Sequence, residues 1–251
     1  MKTIDVAMWI GQYPFRGIPN SSIADLKRQM SALEIERAIV APFEGIFWEN
    51  NLDAYDRAAE QFANDRAIEV WPVVCPGAVH GIERLLDRHK PRGLRLLPNY
   101  HGYKLSDASV AEVMSLAKSR GMIVQIFQRI ADERWHYLMK VPAVPMDDFL
   151  YITSIHTEQP ILLSGVNPFA QMTERLRSLP HLYADISRNR GPQFVYEKLA
   201  QSMPMDKLVF GSLWPIQIIE ATHWQITSSR IDESIKQNLL YNNAARLLGQ
   251  V

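Results

Sequence analysis

Eight short β-rich runs, each followed by a helical pattern, constrain this 251-residue chain more than any other feature. The strand candidates are Thr3–Trp9, Arg37–Pro42, Ile68–Val74, Gly93–Leu97, Met122–Phe127, Pro160–Gly165, His181–Ile186 and Lys207–Ser212. Several are continuous Val/Ile/Leu stretches, the pattern of parallel strands covered on both faces. Between them lie helical patterns such as Ser21–Leu33, Leu52–Asn64, Ser106–Arg120 and Gly191–Met203. Ser106 and Asp107 give the third of these a polar start, and Gly121 a natural stop. This repetition predicts an α/β fold, a (β/α)₈ TIM barrel forming a single domain over residues 1–251. An open, doubly wound sheet shares the periodicity, but no strand leads into a G-x-G-x-x-G or Walker A loop.

Charge and cysteine usage narrow the function classes. Lys+Arg 27 balances Asp+Glu 27, so there is no electrostatic footprint for nucleic acid or an anionic membrane. The single cysteine, Cys75, excludes an intrachain disulfide framework and a cysteine-rich zinc site. Met1-Lys2-Thr3-Ile4-Asp5 lacks an apolar signal core, and polar residues interrupt every later apolar run. The expected location is the cytoplasm, and the expected partner a small molecule. Homo-oligomerisation stays open.

In a (β/α)₈ barrel the functional groups sit at the C-terminal ends of the strands. Those ends present Trp9, Gln12 and Arg16; Glu44; Cys75 and His80; Arg95, Asn99, Tyr100, His101 and Lys104; Gln125, Phe127, Gln128, Arg129, Asp132, Glu133, Arg134 and His136; Ser164 and Asn167; Asp185, Ser187, Arg188 and Arg190; and Leu213 and Trp214.

The order of segments resembles the amidohydrolase-related family of metal-dependent hydrolases and decarboxylases, over nearly the whole chain. Ile4-Asp5-Val6-Ala7-Met8-Trp9-Ile10-Gly11 is similar to that family's opening I-D-x-H-x-H-x-G, and Gly93-Leu94-Arg95-Leu96-Leu97-Pro98 to its G-x-[KR]-x-H-P. Gly121–Phe127 matches the strand that ends in a ligand histidine. Lys207–Pro215 resembles the closing hydrophobic-G-[ST]-D-x-P, and Asn242–Leu248 the final N-A-x-R-L-L. Gln12–Arg16, Pro98–Lys104 and Asp132–Arg134 further resemble a branch that also lacks the first-strand histidines and carries P-F-R, P-N-Y-H-G-Y and D-E-R.

The departures carry the functional expectation. Ala7 and Trp9 stand where the resemblance implies two ligand histidines, Phe127 and Ser164 or Gly165 where it implies two more, and Leu213 replaces the aspartate that holds metal or acts as base. Ala, Phe and Leu offer no ligand atom and Trp only a donor, so no metal and no other cofactor is expected. A set of unfamiliar ligands, Glu44, His101 and His136, is the minor exception. The leading expectation is a metal-independent, hydrolase-like enzyme for a small carboxylated or cyclic (lactone- or amide-type) substrate. His101 and Asp185 would transfer protons, and Arg16, Arg95, Asn99, Gln125, Arg134, Trp9 and Trp214 would bind substrate. The other expectation is a non-catalytic binding or regulatory protein on the same scaffold. Individual residues keep bland alternatives: Arg95 as half of an ion pair with Asp185 or Glu44, His101 as a stacked loop histidine, Asn99 as a turn cap, and Trp9, Phe127 or Trp214 as void fillers. Cys75 reads as a buried small hydrophobe.

Overall fold

The computed structural model describes residues 1–78, 81–132, 141–166, 169–189, 191 and 194–249. Eight parallel strands alternate with helices: β1 (Thr3–Ile10), β2 (Ile35–Pro42), β3 (Ile68–Val70), β4 (Gly93–Leu96), β5 (Ile123–Phe127), β6 (Ile161–Ser164), β7 (Leu182–Asp185) and β8 (Leu208–Val209). Ladders run in the orders β1-β2-β3 and β4-β5-β6-β7-β8, each pair parallel. Two sets of backbone hydrogen bonds join the ladders. Arg95 N donates to Pro72 O at 2.8 Å and Val74 N to Arg95 O at 2.9 Å, while Val6 N donates to Phe210 O at 3.1 Å. The result is the (β/α)₈ TIM barrel.

β3 and β8 are the strands shortened most relative to the sequence pattern, for local reasons. Beyond Val70, Pro72 has no N–H to give to a ladder, and pairing resumes only at an isolated Val73–Arg95 bridge. Beyond Val209, the ladder donors are diverted: Phe210 N bonds Leu239 O at 2.9 Å, and Ser212 N bonds the Asp5 carboxylate at 3.1 Å.

Helix positions follow their caps. The helix Ile23–Ala32 begins at Ser22, whose side chain and that of Asp25 form a reciprocal capping box. Asn50 caps Asn51–Gln61 through Asp53 N. The helix Ala108–Ser119 starts after Asp107, but that carboxylate accepts from Lys104 N at 2.9 Å and bonds the preceding turn, not the helix. Gly121 then stops the chain at φ +63°.

The strands' period of two divides the core into layers. Ala38, Val40, Val124, Ile126, Ile161, Leu163, Leu182 and Ala184 face the helices. Ile39, Ala41, Ile123, Phe127, Leu162, Tyr183 and Val209 fill the interior. Among the described residues, no helix is long and apolar enough to cross a membrane.

The turn after β6 is the tightest constraint near the strand ends. Gly165 has φ +63°, and a Cβ there would lie 2.1 Å from Arg129 O, a backbone atom that cannot swing aside. Gly165→Ala is expected to cost more than about 2 kcal/mol, from left-handed strain plus overpacking. Urea unfolding of the variant against the parent chain measures it.

Candidate active site

A charged network occupies the barrel axis. Arg95 is fully buried, at 0% exposure. Its fork is spent on backbone and amide oxygens: Nε donates to Gln125 Oε1 at 2.8 Å, Nη1 to Met8 O at 2.8 Å, and Nη2 to Val6 O at 3.1 Å and Ile39 O at 2.9 Å. Gln125 passes the connection on, donating to Val6 O at 3.0 Å and to Ser164 Oγ at 2.8 Å. Above the guanidinium lie two rings, with Trp9 at 4.7 Å and Phe127 at 5.4 Å to their centroids.

Two buried carboxylates share this interior. Asp5 Oδ1 accepts from Ala7 N at 3.0 Å and Ser212 N at 3.1 Å. Asp185 Oδ1 accepts from Ser187 Oγ at 2.5 Å, Ser187 N at 3.0 Å and Gly165 N at 3.3 Å. In each, the second oxygen is buried with no hydrogen bond of good geometry. Burial pushes Asp5 up to about 6, against the lowering by the Ser212 and Ala7 donors, with the Asp185 charge adding to the rise. Burial likewise raises Asp185, moderated by the Ser164 and Ser187 hydroxyls and neighbouring amides. For Arg95 burial acts downward and both carboxylates act upward; a guanidinium remains charged here.

Toward the strand ends the interior closes with aromatic rings. Trp9 stacks on Phe43 at 5.5 Å and 11°, and meets Phe127 at 5.4 Å. Edge contacts continue from Phe43 to Tyr13 (5.5 Å), Tyr13 to Phe47 (5.8 Å) and Phe47 to Tyr100 (5.8 Å). His101 lies beside this row. Its Nε2 is 3.1 Å from Ile46 O and its Nδ1 has no partner, which makes Nε2–H the donor and Nδ1 an acceptor. Burial lowers its pKa, so the ring is neutral at neutral pH.

The family model described as amidohydrolase matches residues 5–250. The chain belongs to the amidohydrolase family. Solved structures give the same fold at low identity. 2,6-Dihydroxybenzoate decarboxylase from Rhizobium is 15% identical with a TM-score of 0.74, covering 99% of each chain. 5-Carboxyvanillate decarboxylase from Sphingomonas paucimobilis is 13% identical with a TM-score of 0.75, also over 99% of each. A protein assigned as 2-pyrone-4,6-dicarboxylic acid hydrolase from Acinetobacter baumannii, solved with citric acid bound, is 14% identical with a TM-score of 0.70, over 99% of this chain and 100% of its own. A search of curated proteins finds no match.

The metal that the amidohydrolase resemblance implies does not fit the side chains at its positions. Ala7 and Leu213 carry no ligand atom, and Trp9 and Phe127 fill the space as a packed pair over a guanidinium. A divalent ion set there would lie against the Arg95 guanidinium, with two ring side chains in place of ligands. Among the described residues, no group of three His, Cys, Asp or Glu side chains is placed to share an ion. Of the set Glu44, His101 and His136, the last lies outside the described residues; Glu44 rests against Gly11 and His101 against Ile46.

The remaining sequence candidates separate in space. Arg95, Gln125 and Asp185 belong to the interior network, with Trp9 as its lid. Arg95 makes no ion pair with Asp185 or Glu44; carbonyl oxygens take the place of the expected carboxylate. Asn99 tethers loops, donating to Gln128 O and Pro142 O, both at 3.1 Å. Trp214 joins the layer between strands and helices, its backbone bonded to Trp9 N at 2.7 Å. Arg16 is exposed in the loop after β1. Cys75 is half-buried. Arg134, with Glu133, Asn167, Arg190 and His80, lies outside the described residues. Sequence reasoning assigned no role to Asp5, although an acid inside the otherwise apolar Ile4–Ile10 run is the same signal that marked Arg95. It also missed the Tyr13–Phe43–Phe47 row, because aromatic residues in loops carry no periodicity.

Two outcomes test this network. Arg95→Met strands two buried carboxylates and several carbonyls, so a loss on the order of 3–5 kcal/mol is expected in denaturant melts, with Arg95→Lys between variant and parent. The second concerns pH. Asp5 has a folded pKa above its unfolded value, so its proton stabilises the fold fully below the ordinary carboxylate range. That contribution is lost as pH rises through about 6. Asp5→Asn removes the titration: relative to the parent, the variant should gain on the order of 2 kcal/mol between about pH 4 and about pH 8, read from unfolding curves.

Proposed function

We propose that this amidohydrolase-family chain is a metal-independent enzyme acting on a small carboxylated, cyclic substrate at the C-terminal mouth of its barrel. The observation that carries this reading is Asp185. It sits at the end of a barrel strand, one oxygen is held by three donors, and the other has no hydrogen bond of good geometry. A carboxyl fixed in orientation and raised in pKa by burial is suited to giving and taking a proton. His101 complements it with the opposite shift, a neutral imidazole whose tautomer the Ile46 carbonyl sets. Opposed shifts of this kind divide acid and base roles between two groups. In this reading Arg16 supplies charge for the carboxylate at the rim and Asn99 the loop geometry, while Trp9, Arg95 and Gln125 position the interior. The names of the similar structures, two decarboxylases of hydroxybenzoate-type acids and one pyrone dicarboxylate hydrolase, support the substrate class. The reading also takes residues 1–251 as one domain working in the cytoplasm.

A second reading has its own observation. The Trp9–Phe43–Phe127 packing fills the place of the family's metal, and no contact joins His101 to Asp185. A binding or regulatory protein on a decayed scaffold would show both.

One experiment separates them. Chelator-treated protein is assayed for hydrolysis or decarboxylation against a panel of aromatic carboxylates and carboxylated lactones, with thermal shifts measured in parallel. The enzyme reading expects turnover that survives chelation and falls on the order of 10²–10⁴-fold in Asp185→Asn. Stabilisation without turnover across the panel favours the binding protein; chelator-sensitive turnover defeats metal independence.

A further inference from the structure

A separate cavity of about 440 Å³ opens on the barrel rim, between the helices Ile23–Ala32 and Asn51–Gln61. Its floor is apolar, formed by Ile10, Pro42, Ala54 and Ala58, and Glu44 and Trp48 stand on one wall. Gly11 makes the carboxylate's place: it adopts φ +83°, and any Cβ there would lie 2.2 Å from Glu44 Oε2. The half-buried Glu44 carboxylate therefore rests on backbone. Among the described residues its one hydrogen bond is a long contact from Gln12 N at 3.4 Å, and no Lys or Arg pairs with it. Trp48 is 45% exposed, high for an indole.

Neighbouring charges cancel and leave Glu44 unbalanced. Arg57, which also lines the cavity, pairs with Asp53 at 3.3 Å, and Arg28 pairs with Asp25. The Arg57 guanidinium also lies 6.0 Å from the centre of the Trp48 ring, the distance at which an indole face attracts a cation. One wall of the cavity is thus built to receive positive charge, and the floor to receive hydrocarbon.

We propose that this cavity is a binding site for a small organic ammonium. The ammonium would sit between the Glu44 carboxylate and the Trp48 ring, with an apolar body on the Ile10–Pro42–Ala54 floor. A single carboxylate is too few ligands for a divalent metal, and the same carboxylate repels anions. The cavity volume is in the range that encloses a small organic molecule. The site uses neither Asp185 nor the interior network, so it stands whether or not the proposed activity does.

The test is calorimetric titration of the full chain with benzylamine, with phenylacetate as the oppositely charged probe of similar shape. Saturable benzylamine binding is expected, with phenylacetate at least about tenfold weaker. Glu44→Gln, which keeps the volume and removes the charge, should weaken benzylamine about tenfold, and Trp48→Ala, at an exposed position, should weaken it severalfold. Arg57→Ala removes a competing cation and should tighten it. Asp185→Asn should leave it unchanged, which separates this site from the barrel mouth. The proposal is overturned by absence of saturable benzylamine binding, by equal binding of phenylacetate, or by parental affinity in folded Glu44→Gln and Trp48→Ala.

Discussion

The Arg95 fork is the interaction on which the interior depends. A guanidinium at 0% exposure would be prohibitively costly without partners, and here the partners come from three different strands. Oxygens of Val6 and Met8 on β1, Ile39 on β2 and Gln125 on β5 converge on a side chain from β4. A lysine offers a point charge and three donors on one atom, so it cannot span those directions; the planar fork can. Arg95 also carries one of the two backbone bridges between the ladders, through its own N–H and carbonyl. Side chain and main chain thus join the β3–β4 seam at the same residue.

Fixed charge on the axis explains the aromatic lid. With a guanidinium below and no ligand histidines above, the space at the strand ends favours groups that welcome a cation on one face and exclude water on the other. Trp9 and Phe127 do both, placing their rings 4.7 Å and 5.4 Å from the Arg95 carbon. Stacking of Trp9 on Phe43 then extends the apolar plug toward β2, and the edge contacts through Tyr13 and Phe47 carry it to the β4 loop. Ring packing at Trp9 and Phe127 thus occupies positions where the family resemblance implies ligands.

The fold was legible in the sequence because parallel strands and their covering helices impose two distinct periods, and all eight strand candidates overlap observed strands. Their ends were less legible. Nothing local marks the diversion of Phe210 N to Leu239 or of Ser212 N to Asp5, since both partners are remote in sequence. The same limit governs the site. Arg95, Gln125 and Asp185 stood out as polar residues inside apolar runs, and the structure gathers them in one network. Asp5 carried the identical signal. The separation of His101 from that network was not readable, because its ring is placed by the Ile46 carbonyl, a backbone atom that no side-chain pattern reports.

The charge count on the axis links stability to chemistry. Two buried carboxylates face one guanidinium, so with all three ionised the sealed interior carries a net negative charge that burial penalises. Retaining one proton on the acid pair removes that excess; burial raises both acids, with the Asp185 charge adding to the rise at Asp5. Each has one oxygen locked by amide or hydroxyl donors, so the proton belongs on the other oxygen of whichever acid holds it. Asp5 lies deep within β1, whereas Asp185 closes β7 at the mouth. Both carboxyls are fully buried, so a proton on either one stabilises the packed interior.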